Sequence, residues 1–191
     1  MHDDIGSTLS GIHMYSHMVG EAAATGLLPQ YNRSIDTIKA ASGEMIRKLK
    51  DMVWTIQPGN FSLNELGEKI HEYLIFMAGA KNIKIIYNNQ IEENRQVNTA
   101  WRHHVFVIAK EMINNAVKYS EAAVITVTMK SGNGMLTLEV SDNGIGFNPA
   151  IILKGNGLNN MQERAAELGS KLIVTTTEGK GTGIQLISKI T

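Results

Sequence analysis

From Ile35 through Ile38, Ser42, Met45, Leu49 and Met52 to Ile56, small or apolar residues recur at alternating steps of three and four, and Pro58-Gly59 then ends the run. That spacing keeps one stripe on one side of a helix, the seam along which helices pack. Upstream, Ile5, Leu9, Ile12 and Val19 keep the same step if Ser16 fills the missing place, and Gly26 and Pro29 punctuate the gap between the two stretches. Residues 1–58 therefore read as a helical hairpin. Two helices are too thin to bury such stripes alone, so the expected solution is a homodimer closing a four-helix bundle. A dimer that serves only as a scaffold would satisfy this part equally well.

At Phe61 the texture changes. Ser62 and Glu65 form a capping box ahead of an amphipathic helix reaching about Ala80. Strands are expected near 83–87, 124–130, 135–141, 171–177 and 183–190, with helices near 98–119 and 157–168, a mixed α+β domain over 61–191. "KSGNGM" between the second and third strands is a hairpin turn, because Gly and Asn supply positive φ at little cost. Lys+Arg and Asp+Glu each number 18 in 191 residues, so there is no basic field for non-specific nucleic-acid binding and no nucleic-acid partner is expected. With no cysteine, disulfides and thiolate metal sites are excluded, which fits a reducing compartment. Apolar runs such as 73–80 are far short of a membrane span. The start at Met-His, with helical pattern from the first residues, suggests a piece of a longer protein.

Three groups of residues carry chemistry. "HDDIGSTL" places His2 beside Asp3, a nucleophile with its base, a metal pair, or a charged helix start. "KEMINNAVKYS" lies on the long helix of the second domain and gathers His104, Glu111, Asn114, Asn115 and Lys118 on its polar side. Glu111 and Asn115 could direct oxygens to Mg²⁺ or a water, and Lys118 could meet a phosphate, although an ordinary solvated helix face has the same composition. "EVSDNGIGF" puts Asp142 at a strand end, where a carboxylate can accept the exocyclic amine of a purine, with Gly144 and Gly146 in the turn beyond. Gly155 and Gly157 precede a helix beginning near Leu158, whose free N–H groups form an anion site. His13 and His17, one turn apart, lack a third metal ligand, and Trp54 and Trp101 read as packing anchors.

In this order "EMINNAVK", "DNGIGF", "GNGLNNMQERAAELG" and "EGKGTGIQL" resemble the asparagine and glycine boxes of the GHKL ATPases, the group that includes histidine kinases, gyrases and Hsp90. "HDDIGSTL", ahead of a hairpin ending "DMVWTIQP", resembles the phosphoacceptor region of the histidine kinases that pair with LuxR/NarL-type response regulators, an HDxxG-type helix. The resemblance implies a dimerisation and phosphotransfer hairpin at 1–58, then a GHKL (Bergerat) α/β sandwich at 61–191 that uses ATP and Mg²⁺. It implies that His2 attacks the γ-phosphate with Asp3 orienting the imidazole or taking its proton, that Glu111 acts in catalysis, and that Asn115 holds the metal. Asn114, Lys118 and Leu158 fall among its nucleotide-binding positions. Asp142 would read adenine with help from Thr182, Gly144 and Gly146 would form the adjoining turn, and Gly155 and Gly157 would hinge a lid over 148–156.

One position departs from the pattern: Ser7 stands where many members carry a glutamine held to position water for dephosphorylating the regulator. The expected protein is the cytoplasmic catalytic portion of a membrane-bound sensor, an autokinase that passes phosphate to the aspartate of a response-regulator receiver domain. Two rivals are a degenerate dimeric scaffold and a GHKL ATPase that forms no phosphohistidine.

Overall fold

The computed structural model describes residues 2–25, 28–57, 59, 61–79, 81–148 and 156–191, with side chains at 2–7, 21–25, 28–30, 48, 52, 55, 56 and 156 excluded. It divides into two compact units, Met1–Gln57 and Pro58–Thr191.

In the first unit α1 (His2–Thr25) packs along α2 (Leu28–Ile56). Pro29 falls in the first turn of α2, where a missing N–H leaves no helical bond unmade. Among the described residues of this hairpin no apolar side chain is fully buried: Leu9, Met14 and Met18 on α1, and Ile46, Leu49 and Val53 on α2, are each more than two-fifths exposed. Ile35, Ile38 and Met45 of the expected seam are half-buried, and Met52, Ile56 and Pro58 lie outside the described side chains.

In the second unit β1 (Phe61–Ser62) leads into α3 (Leu63–Gly79), followed by β2 (Lys84–Ile91), β3 (Gln96–Val97), α4 (Thr99–Tyr119), β4 (Val124–Gly132), β5 (Met135–Asp142), α5 (Asn156–Glu167), β6 (Lys171–Thr176) and β7 (Thr182–Lys189). Five strands form one sheet in the order β2-β4-β5-β7-β6; β2 pairs β4 in parallel, and the other neighbours are antiparallel. Every second residue faces the helices. Ile125, Val127 and Met129, then Leu136, Leu138 and Val140, then Ile184 and Leu186, bury themselves against Leu66, Ile70 and Leu74 of α3 and Val105, Ile108 and Met112 of α4. The opposite face is polar, carrying an Asn88–Thr128 hydrogen bond and one from Gln185 to Glu139. The result is a two-layer α/β sandwich.

Local signals explain the element ends. The Ser62 amide and hydroxyl both donate to Glu65 Oε2, at 2.7 and 2.8 Å, and the Glu65 amide returns a bond to Ser62 Oγ, so the capping box is complete. These bonds hold the Glu65 carboxyl below its ordinary range, with a lesser pull from Arg102. Asn98 caps α4 by accepting from the Trp101 amide, and the Trp101 indole donates to Ser188 of β7, pinning the helix to the sheet. The β4–β5 turn is Asn133-Gly134, both at positive φ. Two features exceed the sequence expectation. β1 and β3 pair as a two-residue ribbon, too short to carry a period. β2 runs on to Ile91 through Asn88, Asn89 and Gln90, residues with low strand propensity that an edge position tolerates.

Candidate active site

A cavity of about 500 Å³ opens between α4, the first turn of α5, the loop after β5, and β7. Met112, Ala116, Val140, Phe147, Leu158 and Ile184 make its walls apolar, and Asp142 lies at its floor. An apolar slot with a few convergent polar groups is the usual form of a small-molecule site.

The floor is held by backbone contacts. Asp142 Oδ1 accepts from the Gly144 amide at 2.9 Å and the Thr182 amide at 3.3 Å, leaving Oδ2 without a partner among the described residues. Burial holds this carboxyl above the ordinary carboxylate range, against the opposing pull of the Gly144 and Thr182 amides. A Cβ on Gly144 would overlap the Ser120 carbonyl, which ends α4 and accepts from the Ile145 amide at 2.8 Å. Gly146, at φ +58°, lies against the Thr177 carbonyl, so the turn after β5 is wedged between α4 and the β6–β7 connection by residues without side chains. Thr182 lines the cavity, but its hydroxyl pairs with Thr176 Oγ1 at 3.1 Å; what reaches Asp142 is its amide.

Of the five polar residues expected on one side of α4, the structure brings Glu111 and Asn115 into the cavity. Asn114 is not among the lining residues: its Oδ1 accepts from the Tyr73 hydroxyl at 2.8 Å, because α3 covers the stripe that carries Lys110 and Asn114. Lys118 is exposed beyond the lining, and His104 meets Glu167 of α5 at 3.4 Å. Beside it, burial chiefly, then the charges of His104, Arg164 and Arg102, lowers the His103 pKa. Gly157 and Leu158 line the cavity from within α5, which begins at Asn156, so Gly157 is a helical residue and not part of the preceding loop. Gly155 and most of the expected lid lie outside the described residues. His2 and Asp3 stand in the first turn of α1, with side chains outside the described set.

Tyr119 and Phe147 also line the cavity, outside the residues that the sequence points to. For Tyr119 a signal existed: Glu111, Asn115 and Tyr119 follow at steps of four, one stripe of α4, and the ring is 70% exposed at the cavity rim. His13 and His17 are exposed, and the described residues contain no cluster of three or more metal-ligating groups. His71 stacks on Tyr87 at 4.3 Å.

Residues 102–190 match the family described as histidine kinase-, DNA gyrase B- and HSP90-like ATPases. The chain is similar to the sensor histidine kinase LiaS of Bacillus subtilis, 28% identical over 97% of this chain and 51% of that protein, and to the sensor protein VraS of Staphylococcus aureus, 26% identical over 97% and 52%. It thus spans about half the length of these relatives. Among solved structures, the histidine kinase domain of the Erythrobacter litoralis blue-light activated kinase has a TM-score of 0.59 at 16% identity, covering 93% of this chain and 96% of that one. Full-length ShkA, determined with AMPPNP, has a TM-score of 0.61 at 17% identity over 85% and 40%. The second unit has the GHKL sandwich fold, and the chain is similar to sensor histidine kinases over nearly all of its length.

Proposed function

We propose that this chain is an ATP-dependent protein histidine autokinase that passes phosphate to a response-regulator aspartate in two-component signalling. The observation that carries the reading is Asp142: a half-buried carboxylate lining an apolar slot, with one oxygen held by two amides and the other without a partner among the described residues, accepts hydrogen bonds and donates none, which suits an adenine amine. The slot walls, with Tyr119 at the rim, accommodate a flat base. Glu111 and Asn115 stand further along the same cavity and offer a carboxylate and an amide oxygen, the hard donors that Mg²⁺ takes. When bound, Mg²⁺ supplies neutralisation of phosphate charge.

His2 is the acceptor in this reading. Its imidazole nitrogen bonds to the γ-phosphorus, the bond from that phosphorus to the β–γ bridging oxygen breaks, ADP leaves, and Asp3 takes the imidazole proton. The AMPPNP in ShkA supports nucleotide as the ligand, and the exposed apolar side chains of the α1–α2 hairpin support a homodimer. No helix among the described residues is long and apolar enough to cross a membrane, which accords with a cytoplasmic catalytic part of a membrane-bound sensor.

Incubation with γ-labelled ATP and Mg²⁺ tests the reading. Acid-labile, base-stable label lost on His2→Gln is the expected result. Hydrolysis without label would make the protein a plain ATPase, and absence of ATP binding would leave a scaffold.

The pH dependence has a definite sign. Because the Asp142 carboxyl is raised, it protonates earlier on acidification than an ordinary aspartate, and the neutral acid no longer offers two accepting oxygens. ATP affinity should fall as pH drops through that raised pKa. The folded state holds this proton more readily than the unfolded chain, so the same titration favours folding as pH falls. Titration calorimetry across the acidic range should therefore show affinity lost without this residue promoting unfolding; affinity flat down to the ordinary carboxylate range would exclude Asp142 as the base-reading group.

A further inference from the structure

We infer that Gly157 is a positioning residue whose missing side chain holds the Glu111 carboxylate in place, a role that rests on the kinase reading and gives Gly157 a different task from hinging a lid. Gly157 lies inside α5 with φ outside the left-handed region, so its backbone conformation does not call for glycine. Glycine is a poorer helix former than alanine, by about 1 kcal/mol in a helix interior, so position 157 in the first turn of α5 gains nothing from glycine as a helix former. A Cβ there would overlap Glu111 Oε1, stand 3.3 Å from its Cδ and approach Asn115 Nδ2 to 3.8 Å.

Both helices are held to the core by buried side chains. Met161 and Ala165 anchor α5 with 1% exposure each, and Ile108 and Met112 anchor α4 with 0% and 1%. What can yield is the end of the Glu111 side chain. A methyl at 157 therefore leaves the fold in place and turns the carboxylate away from the position beside Asn115 where both line the cavity. The first turn of α5 acts as a wall that sets the orientation of the one carboxylate on the α4 side of the site.

The test is a double-mutant cycle of Gly157→Ala and Glu111→Ala on the full chain, read by MgATP affinity, by the rate of phosphohistidine formation at saturating ATP, and by crystal structures of both single variants. Gly157→Ala is expected to melt no lower than the parent, to lose about 10- to 100-fold in rate as for a misplaced catalytic group, and to show Glu111 rotated with α5 unmoved. In the Glu111→Ala background it should cost nothing further. The same loss in both backgrounds, an unchanged rate, or a Gly157→Ala structure with Glu111 in place and α5 displaced would overturn the inference. If the parent forms no phosphohistidine the kinase reading falls, and the affinity cycle and the structures still decide the role of Gly157.

Discussion

Asp142→Asn is expected to weaken ATP binding by about 100-fold while leaving the melting temperature of the second unit nearly unchanged. The amide oxygen of asparagine can take over the two bonds that Asp142 Oδ1 accepts from Gly144 and Thr182, so the turn after β5 keeps its support. The amide nitrogen then occupies the place of Oδ2 and presents a donor to the donating amine of adenine. Loss of a hydrogen bond to a charged group is worth about 1.5 to 3 kcal/mol, and the upper end applies where a donor faces a donor in an apolar slot. Calorimetric titration with ATP measures it. Parent-like affinity in the variant would place the base elsewhere in the cavity.

Leu49→Lys is expected to convert the proposed dimer into monomers. Leu49 continues the stripe of Ile35, Ile38 and Met45, yet it is 43% exposed in the hairpin, with Ile46 and Val53 beside it at 54% and 58%. A second copy is the surface that would cover them. An unpaired charge buried in such a seam costs roughly 3 to 5 kcal/mol, at least about a hundredfold in the dimerisation constant. Light scattering should report a monomer, and the second unit should still bind ATP, because its cavity is lined only by residues beyond 110. A persistent dimer would move the interface off α2.

These two residues also mark what the sequence makes legible. The stripe containing Leu49 is a period, and periods survive in one dimension; so do the Ser62–Glu65 box, the Asn133-Gly134 turn and the acid-glycine order at Asp142, Gly144 and Gly146. Each is set by neighbours in the chain. Asn114 was not legible in this way: helical geometry groups it with Asn115, and only the arrival of Tyr73 on α3, 41 positions away, separates their tasks. Thr182 likewise reaches Asp142 by its amide because Thr176, on the paired strand β6, takes its hydroxyl. Gly157 reads as a loop glycine in sequence, and the wall it forms for Glu111 exists only once α4 and α5 are side by side.

The parallel pairing of β2 with β4 has a consequence for how the sheet assembles. β4 and β5 are joined by a tight turn and β6 and β7 by a short connection, so each pair closes a small loop early. β2 meets its partner only across the whole of α4, Lys84 opposite Val124, and it has a neighbour on one side alone. Its loop-closure entropy is the largest of any neighbouring pair except β5 with β7, and its reward is a single row of bonds. Asp142 on β5 and Thr182 on β7 lie on inner strands, and β4 stands between them and β2. Fraying of β2 from that edge would leave the β5–β7 pairing under Asp142 and Thr182 intact.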